Sequence, residues 1–238
     1  MTRYEAVLFD AGGTLIIREP ADDEVLRMRW QGIGLAVEPV QARLAVKRSE
    51  IWMGEQILKE VNGAPRMPDD EFASGAERAA IQAVWECAAE HDIEHWLGLL
   101  NTVPPVKQNW VVAPGSLKMI ETLKARGYRM AVVSNFNKSL PDLLAQLNLV
   151  GFFDAIVCSA IVGVEKPEPE ILRIACRQLG VFPEKAIYIG DHPLDILCAR
   201  GAGMPVVWLR EPGDTLPDNL DCQPDFGIGD LAELVSIL

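Results

Sequence analysis

The sequence predicts an α/β protein: a doubly wound parallel sheet carrying a smaller, all-helical insert. Three observations predict it. Short apolar runs of strand length alternate with helical stretches, residues 16–107 carry helical patterning alone, and the composition suits a packed core. The 238 residues are 49% hydrophobic and 24% charged, which excludes disorder and fibrous repeats. A chain of this length buries about 70% of the surface it exposes when unfolded, so it needs neither disulfides nor a structural metal.

Residues 4–10 (YEAVLFD) read as the first strand, an apolar run ending in an acid, and Gly12-Gly13 then takes the chain off the sheet in a tight loop. Residues 16–107 follow, rich in Ala, Leu, Glu, Arg and Gln, with no strand-like run. Their apolar residues fall at helical spacing, as in Val40, Leu44 and Ile51, or Ile81, Val84 and Trp85. Breaks at 32–39, 63–68 and 102–105 divide this insert into four helices, and Pro104-Pro105 hinges it back to the core. Beyond it, helices at 114–126, 139–149, 168–180, 193–202 and 230–238 alternate with strands at 128–134, 155–159, 186–190 and 205–209. Such alternation implies parallel strands joined by right-handed crossovers, with a ligand at the carboxyl ends of the strands. The expected division is a core of residues 1–15 and 108–238 around an insert of residues 16–107.

Charge narrows the partners. Lys and Arg number 22 against 34 Asp and Glu, a net charge of -12 spread along the chain, so no basic patch is available to displace phosphate counterions. Nucleic acid and anionic membranes are therefore not expected partners, whereas a phosphorylated metabolite remains accessible if a local metal or lysine receives it. The five cysteines include no CxxC pair and suggest no disulfide framework, which points to a reducing cytoplasm. No apolar run reaches membrane-spanning length, and the N-terminus, with Glu5 and Asp10 flanking residues 6–9, is not expected to be a signal peptide. Oligomeric state is not legible.

Four strand ends carry polar residues that suit one reaction. Asp10 ends the first strand, where a carboxylate can attack phosphorus or carbon, and the small loop Ala11-Gly12-Gly13-Thr14 lets backbone N–H groups approach a transferring group. Ser134 and Asn135 end the second with a hydroxyl and an amide suited to phosphate oxygens. Lys166 follows the third, in GVEKPEP, and supplies charge to neutralise the nucleophile. Asp191 and Asp195, in GDHPLD after the fourth, are hard oxygen donors suited to magnesium. Either could instead be an acid at a helix N-terminus, a reading that explains one Asp better than two because Pro193 already suits the first turn.

These residues, in this order, resemble the haloacid dehalogenase (HAD) superfamily of hydrolases. Asp10 to Thr14 look like its DxxGT nucleophile loop, Ser134-Asn135 like its second motif, Lys166 like its third, and Gly190-Asp191 with Asp195 like its acidic fourth. The insert matches the place and size of that family's helical cap domain on a Rossmann-like core, and the short stretch between Asn135 and Lys166 leaves no room for a cap there. The resemblance implies that Asp10 is the nucleophile, with Gly13, Ser134, Asn135 and Lys166 around the transferring group. It implies Mg2+ held by Asp10, the carbonyl of Gly12 and Asp191, with Asp195 ligating directly or through water. Specificity would come from cap residues such as Arg18, Arg27, Lys47, Trp52 and Arg66.

One departure matters. Phosphatases of this family usually place a second Asp two residues after the nucleophile, as acid for the leaving group, and here that residue is Gly12. Loss of a general acid typically costs roughly 10²- to 10⁴-fold in rate, least for leaving groups that depart unprotonated. The expected function is a magnesium-dependent phosphatase acting on a small phosphorylated metabolite. The alternatives are a 2-haloacid dehalogenase, in which Asp10 attacks carbon, and a non-catalytic phospholigand or protein-binding module. Two patterns are expected to be decoys: His91-Asp-Ile-Glu-His95, a zinc-like HxxEH on a solvated helix face, and Gly201-Ala-Gly203, which precedes a strand where a dinucleotide loop would follow one.

Overall fold

Every residue of β1 (Ala6–Phe9) is buried, and its side chains alternate between two cores. Val7 and Phe9 enter one, Ala6 and Leu8 the other, following the two-residue repeat of a strand. A strand apolar on both faces has to be covered on both, and this is how the sequence specifies a sheet between two helical layers. The structure, a computed structural model, describes residues 4–61, 63–210, 216 and 222–238, so residues 1–3 of the expected core lie outside it. The chain forms two compact units: Met1–Ile17 with Trp110–Leu238, and Arg18–Asn109.

After β1 come β2 (Ile16–Glu19) and four helices, α1 (Asp22–Gly32), α2 (Pro39–Val61), α3 (Asp69–Val84) and α4 (Glu90–Leu100). The chain continues through β3 (Asn109–Val112), α5 (Ser116–Ala125), β4 (Arg129–Ser134), α6 (Leu140–Gln146), β5 (Ala155–Cys158), α7 (Ser159–Val162) and α8 (Glu170–Leu179). It ends with β6 (Ala186–Gly190), α9 (Pro193–Ala202), β7 (Val206–Leu209), β8 (Phe226–Ile228) and α10 (Leu234–Ile237). Six strands form one parallel sheet in the order β5-β4-β1-β6-β7-β8, and β2 pairs with β3 in a separate two-stranded sheet.

The order of the strands places the site. From β1 the chain builds outward through β4 and β5, then returns to lay β6 on the other side of β1. Phe9 is in register with Val132 of β4 and Ile189 of β6, so the carboxyl ends of these three strands lie side by side at the switch point, where ligands of open α/β sheets bind. On one face Val7, Phe9, Met130, Val132, Ile187 and Ile189 pack under α5, α6 and α10; on the other, Leu8, Ala131, Val133 and Tyr188 pack under α8 and α9.

The differences from the sequence reading are local. Ile16–Glu19 is a strand, where the insert was expected to hold none, and Phe226–Ile228 adds a sheet-edge strand. The terminal helix is a 3-10 turn at Leu231–Glu233 followed by the single turn of α10. Within Arg18–Asn109 the four expected helices are present. Their core is aromatic: Trp30 is fully buried, Trp85 packs between it and Trp96 at centroid distances of 5.1 and 5.3 Å, and the Trp30 indole donates to Glu77 Oε1 at 3.2 Å. Trp52 of α2 packs on Phe72 of α3, and Gly75 has no room for a side chain because Trp52 occupies it. His91 and His95 lie exposed on α4, and Gly203 is the left-handed residue ending α9, so neither decoy forms a site. Among the described residues no helix is long and apolar enough to cross a membrane, and all five cysteines are free thiols.

Candidate active site

The loop after β1 folds back at once: the N–H groups of Leu15 and Ile16 both donate to the Ala11 carbonyl, at 2.8 and 2.9 Å. Gly13 makes this reversal possible with φ +78°, a conformation that favours glycine, and any side chain there would overlap the Asp191 carboxylate. Thr14, fully buried, donates through Oγ1 to Asp191 Oδ1 at 2.7 Å, tying the loop after β1 to the end of β6. Asp10 is thereby held 7% exposed at the strand end, beside the buried Ser134 that ends β4.

Lys166 is the hub. Its Nζ lies 2.8 Å from Asp10 Oδ1 and donates hydrogen bonds to Asp195 Oδ1 at 2.6 Å and to the Tyr188 hydroxyl at 3.2 Å. The Tyr188 hydroxyl has the Val133 carbonyl at 3.0 Å and Asp195 Oδ1 at 3.1 Å as acceptors for its own proton. Asn135, expected to meet phosphate oxygens, clamps the Lys166 backbone: its Oδ1 accepts from Lys166 N at 2.7 Å and its Nδ2 donates to Lys166 O at 2.9 Å.

Asp195 caps a helix and pairs with Lys166. Its Oδ2 accepts from His192 N at 2.9 Å while His192 Nδ1 accepts from Leu194 N at 3.2 Å, a reciprocal cap on α9, and its Oδ1 faces Lys166. Gly190 stands where any side chain would overlap Asp195.

Charge in this pocket is unbalanced. Oxygens of Asp10, Asp191 and Asp195 come within 4.8 Å of one another, and the single ammonium of Lys166 leaves two formal negative charges. Burial, opposed by Lys166 and reinforced by Asp195, pushes the Asp10 carboxyl above its usual range. Burial, then the charges of Asp10 and Asp195, raises Asp191 much further. For Lys166 burial favours the neutral amine, but Asp10 and Asp195 outweigh it and hold the side chain as ammonium. Asp10 Oδ1 faces the Lys166 ammonium at 2.8 Å. Hard oxygens and excess negative charge together fit a divalent cation such as magnesium. Among the described residues, no other group of three metal-capable side chains converges.

Gly12 is half-buried and does not have a left-handed backbone. A side chain there would start 3.4 Å from Trp110 Cη2, an ordinary contact. Trp110 packs in turn on Phe136, centroid to centroid 5.4 Å. Tyr188 and Trp110 were not singled out from the sequence. Tyr188 sits in an apolar strand run, where its one signal is that a buried tyrosine hydroxyl needs a partner.

Residues 4–203 match the family described as haloacid dehalogenase-like hydrolase. The phosphoglycolate phosphatase of Nitrosococcus oceani is 32% identical over 98% of this chain and 96% of its own length. Other curated phosphatases, such as the glyceraldehyde 3-phosphate phosphatase of Methanopyrus kandleri at 37% identity, align over about half of their length. Among solved structures, the putative hydrolase YfnB of Bacillus subtilis, bound to magnesium, is similar with a TM-score of 0.66 at 21% identity over 100% of this chain and 99% of that one. The L-2-haloacid dehalogenase RSc1362 gives 0.64 at 20% identity over 99% of each. With the family match running from β1 through α9, the sheet carrying Asp10, Ser134 and Asp191 at its strand ends and Lys166 in the loop between α7 and α8, the chain belongs to the haloacid dehalogenase-like hydrolases.

Proposed function

We propose that the protein is a magnesium-dependent phosphatase that hydrolyses a small phosphorylated metabolite through an aspartyl-phosphate on Asp10. One observation carries the reading: a buried strand-end carboxylate is paired with Lys166 inside a cluster whose three carboxylates outnumber its ammonium. Relatives named for phosphoglycolate, phosphoserine and fructose-1-phosphate support a small phosphorylated substrate. The helical unit is read as the family's cap domain, and the compartment as the cytoplasm.

Asp10, Asp191 and the Gly12 carbonyl would hold magnesium, with Asp195 kept off the ion by its bonds to Lys166 and His192. The ion, when bound, supplies positive charge that draws phosphate into an acidic site. An Asp10 oxygen attacks phosphorus in line, and the bond to the leaving oxygen breaks with its electron pair on that oxygen. Ser134 and the N–H groups of Ala11 and Gly12 bind the phosphoryl oxygens, since those of Gly13 and Thr14, the first of them expected to take part, donate to the Ile16 and Ala11 carbonyls. Water then attacks the same phosphorus, releasing phosphate and restoring the Asp10 carboxylate. Lys166 keeps Asp10 ionised and oriented throughout.

A phosphatase screen in magnesium across phosphorylated metabolites and acyl phosphates, with chloride release from 2-chloro acids measured alongside, tests the reading. Asp191→Ala should weaken magnesium binding by at least about tenfold in calorimetry, since even outer-shell losses cost that much, and should remove turnover. A native protein that binds no magnesium and is indifferent to chelator while releasing chloride would establish the dehalogenase. Gly12 favours that second reading, because halide leaves carbon without an acid; the uncompensated carboxylates favour phosphate.

The missing acid has its own expected outcome. Native enzyme should prefer acyl and aryl phosphates to alkyl phosphates, and Gly12→Asp should raise the alkyl-to-aryl ratio of kcat/KM by about tenfold or more. The backbone at Gly12 tolerates a side chain, so the variant tests chemistry and not strain. An unchanged ratio, with magnesium binding intact, would mean that another group already serves as the acid.

A further inference from the structure

We infer that Trp110 and Phe136 form an aromatic wall that selects phosphate esters whose leaving group is a flat aromatic ring; this rests on the phosphatase reading and names the substrate class of the same site. The two rings meet at 5.4 Å with planes tilted by 57°, and both are half-buried, so each keeps an accessible surface. The outer edge of the Trp110 six-membered ring stands where a side chain on Gly12 would project, at 3.4 and 3.6 Å from that Cβ position. Gly12 is two residues past Asp10, hence within about 8 Å of it along the chain. Phe136 is two residues past Ser134, and its backbone is fixed: its N–H donates to Ser159 Oγ at 3.2 Å and its carbonyl accepts from Cys158 Sγ at 3.0 Å. The pair therefore joins the loops leaving β1 and β4, the neighbouring strands whose ends carry Asp10 and Ser134.

A phosphoryl group held by those two residues has this wall beside it. A flat aromatic group can stack on these rings, an interaction worth about tenfold in affinity, whereas a polyol or carboxylate would lose water against their apolar faces. The chemistry at the same position agrees with the wall. With no acid at residue 12, an aryl oxide, a weaker base than an alkoxide, is the ester leaving group that departs most readily without protonation.

Binding and turnover separate the two claims. Calorimetry on the full chain in magnesium chloride would compare phenylphosphonate with methylphosphonate, probes without a leaving group, so that only the wall is read. Native protein should bind the phenyl compound about tenfold tighter. Trp110→Leu should bring the two within about threefold by weakening the phenyl compound alone, and Trp110→Phe, which keeps a ring, should retain most of the preference. If Trp110→Leu does not fold, Phe136→Leu gives the same reading with a smaller loss. Equal binding of both probes by native protein, no binding of either, or equal weakening of both in Trp110→Leu would overturn the wall. In turnover, the ratio of kcat/KM for phenyl phosphate to that for ethyl phosphate should fall in Trp110→Leu through KM for the aryl ester. Hydrolysis of both esters with a ratio insensitive to Trp110 would sink the wall and leave the phosphatase standing. Trp110-dependent binding of phenylphosphonate without any hydrolysis would do the reverse.

Discussion

Asp10→Asn should lower kcat on the best phosphate substrate by about 10⁴-fold or more, the order of loss seen when a covalent nucleophile is removed, without unfolding the protein. The amide is nearly isosteric with the carboxylate and carries no charge, so it sheds the burial penalty that raises the Asp10 carboxyl. Its oxygen can still face Lys166, which keeps its bonds to Asp195 and Tyr188. The melting temperature should therefore shift by only a few degrees. Acid quenching during turnover of a radiolabelled substrate should trap a phosphorylated native chain and an unlabelled variant. Native-like turnover by Asp10→Asn would show that another group is the nucleophile. A native protein that binds phosphonates but turns over no phosphate ester, acyl phosphate or 2-chloro acid would identify the binding module instead.

The parts of this site that were legible in the sequence are those whose pattern has a single physical reading. An apolar run ending in Asp10 and followed by Gly12-Gly13 has few explanations other than a buried strand turning sharply at its end, and the structure shows both the turn and why Gly13 takes part in it. The four helices of residues 18–109 were legible because a 3.6-residue repeat sustained over several turns is hard to mistake. What was not legible is how donors and acceptors are shared. The sequence marks Asn135 as an amide near the site, but both its ends are spent on the Lys166 backbone, and only the approach of the two loops decides that. Asp195 was open to both ligand and cap because a carboxylate in the first turn of a helix can do either; its neighbours Lys166 and His192 settle its bonds in the fold. Phe226–Ile228 escaped notice because three residues with a central glycine carry too little periodicity, and their strand character comes from pairing with β7. Tyr188 was hidden by its apolar neighbours, although its hydroxyl is where Lys166, Asp195 and β4 meet.

Lys166→Met should be the most damaging single substitution in the core, in stability as well as in rate. Methionine has about the length of lysine and fills the same buried space, so the change removes charge with little cavity. Asp10, Asp191 and Asp195 would then share their 4.8 Å neighbourhood without a counter-charge. Breaking a buried pair by deleting one partner costs about 3–5 kcal/mol because it strands the other, and at roughly 2–4 °C per kcal/mol for a chain of this size the melting temperature should fall by about 10 °C. With Lys166 gone, the influence that lowers the Asp10 carboxyl goes too, so Asp10 shifts further toward its protonated, non-nucleophilic form and kcat should fall by about 10²- to 10⁴-fold. Tyr188→Phe is the control: it deletes the hydroxyl that Lys166 donates to, leaves both ion pairs in place, and should cost about 1–3 kcal/mol with kcat within about tenfold of native. Magnesium separates lost charge from lost packing. A pocket with three carboxylates and no ammonium binds a divalent cation more strongly in its folded state, so added magnesium should raise the melting temperature of Lys166→Met more than that of the native protein. Equal stabilisation of the two by magnesium, or a Lys166→Met protein that melts and turns over like the native one, would show that the lysine does not offset the carboxylate charge around Asp10.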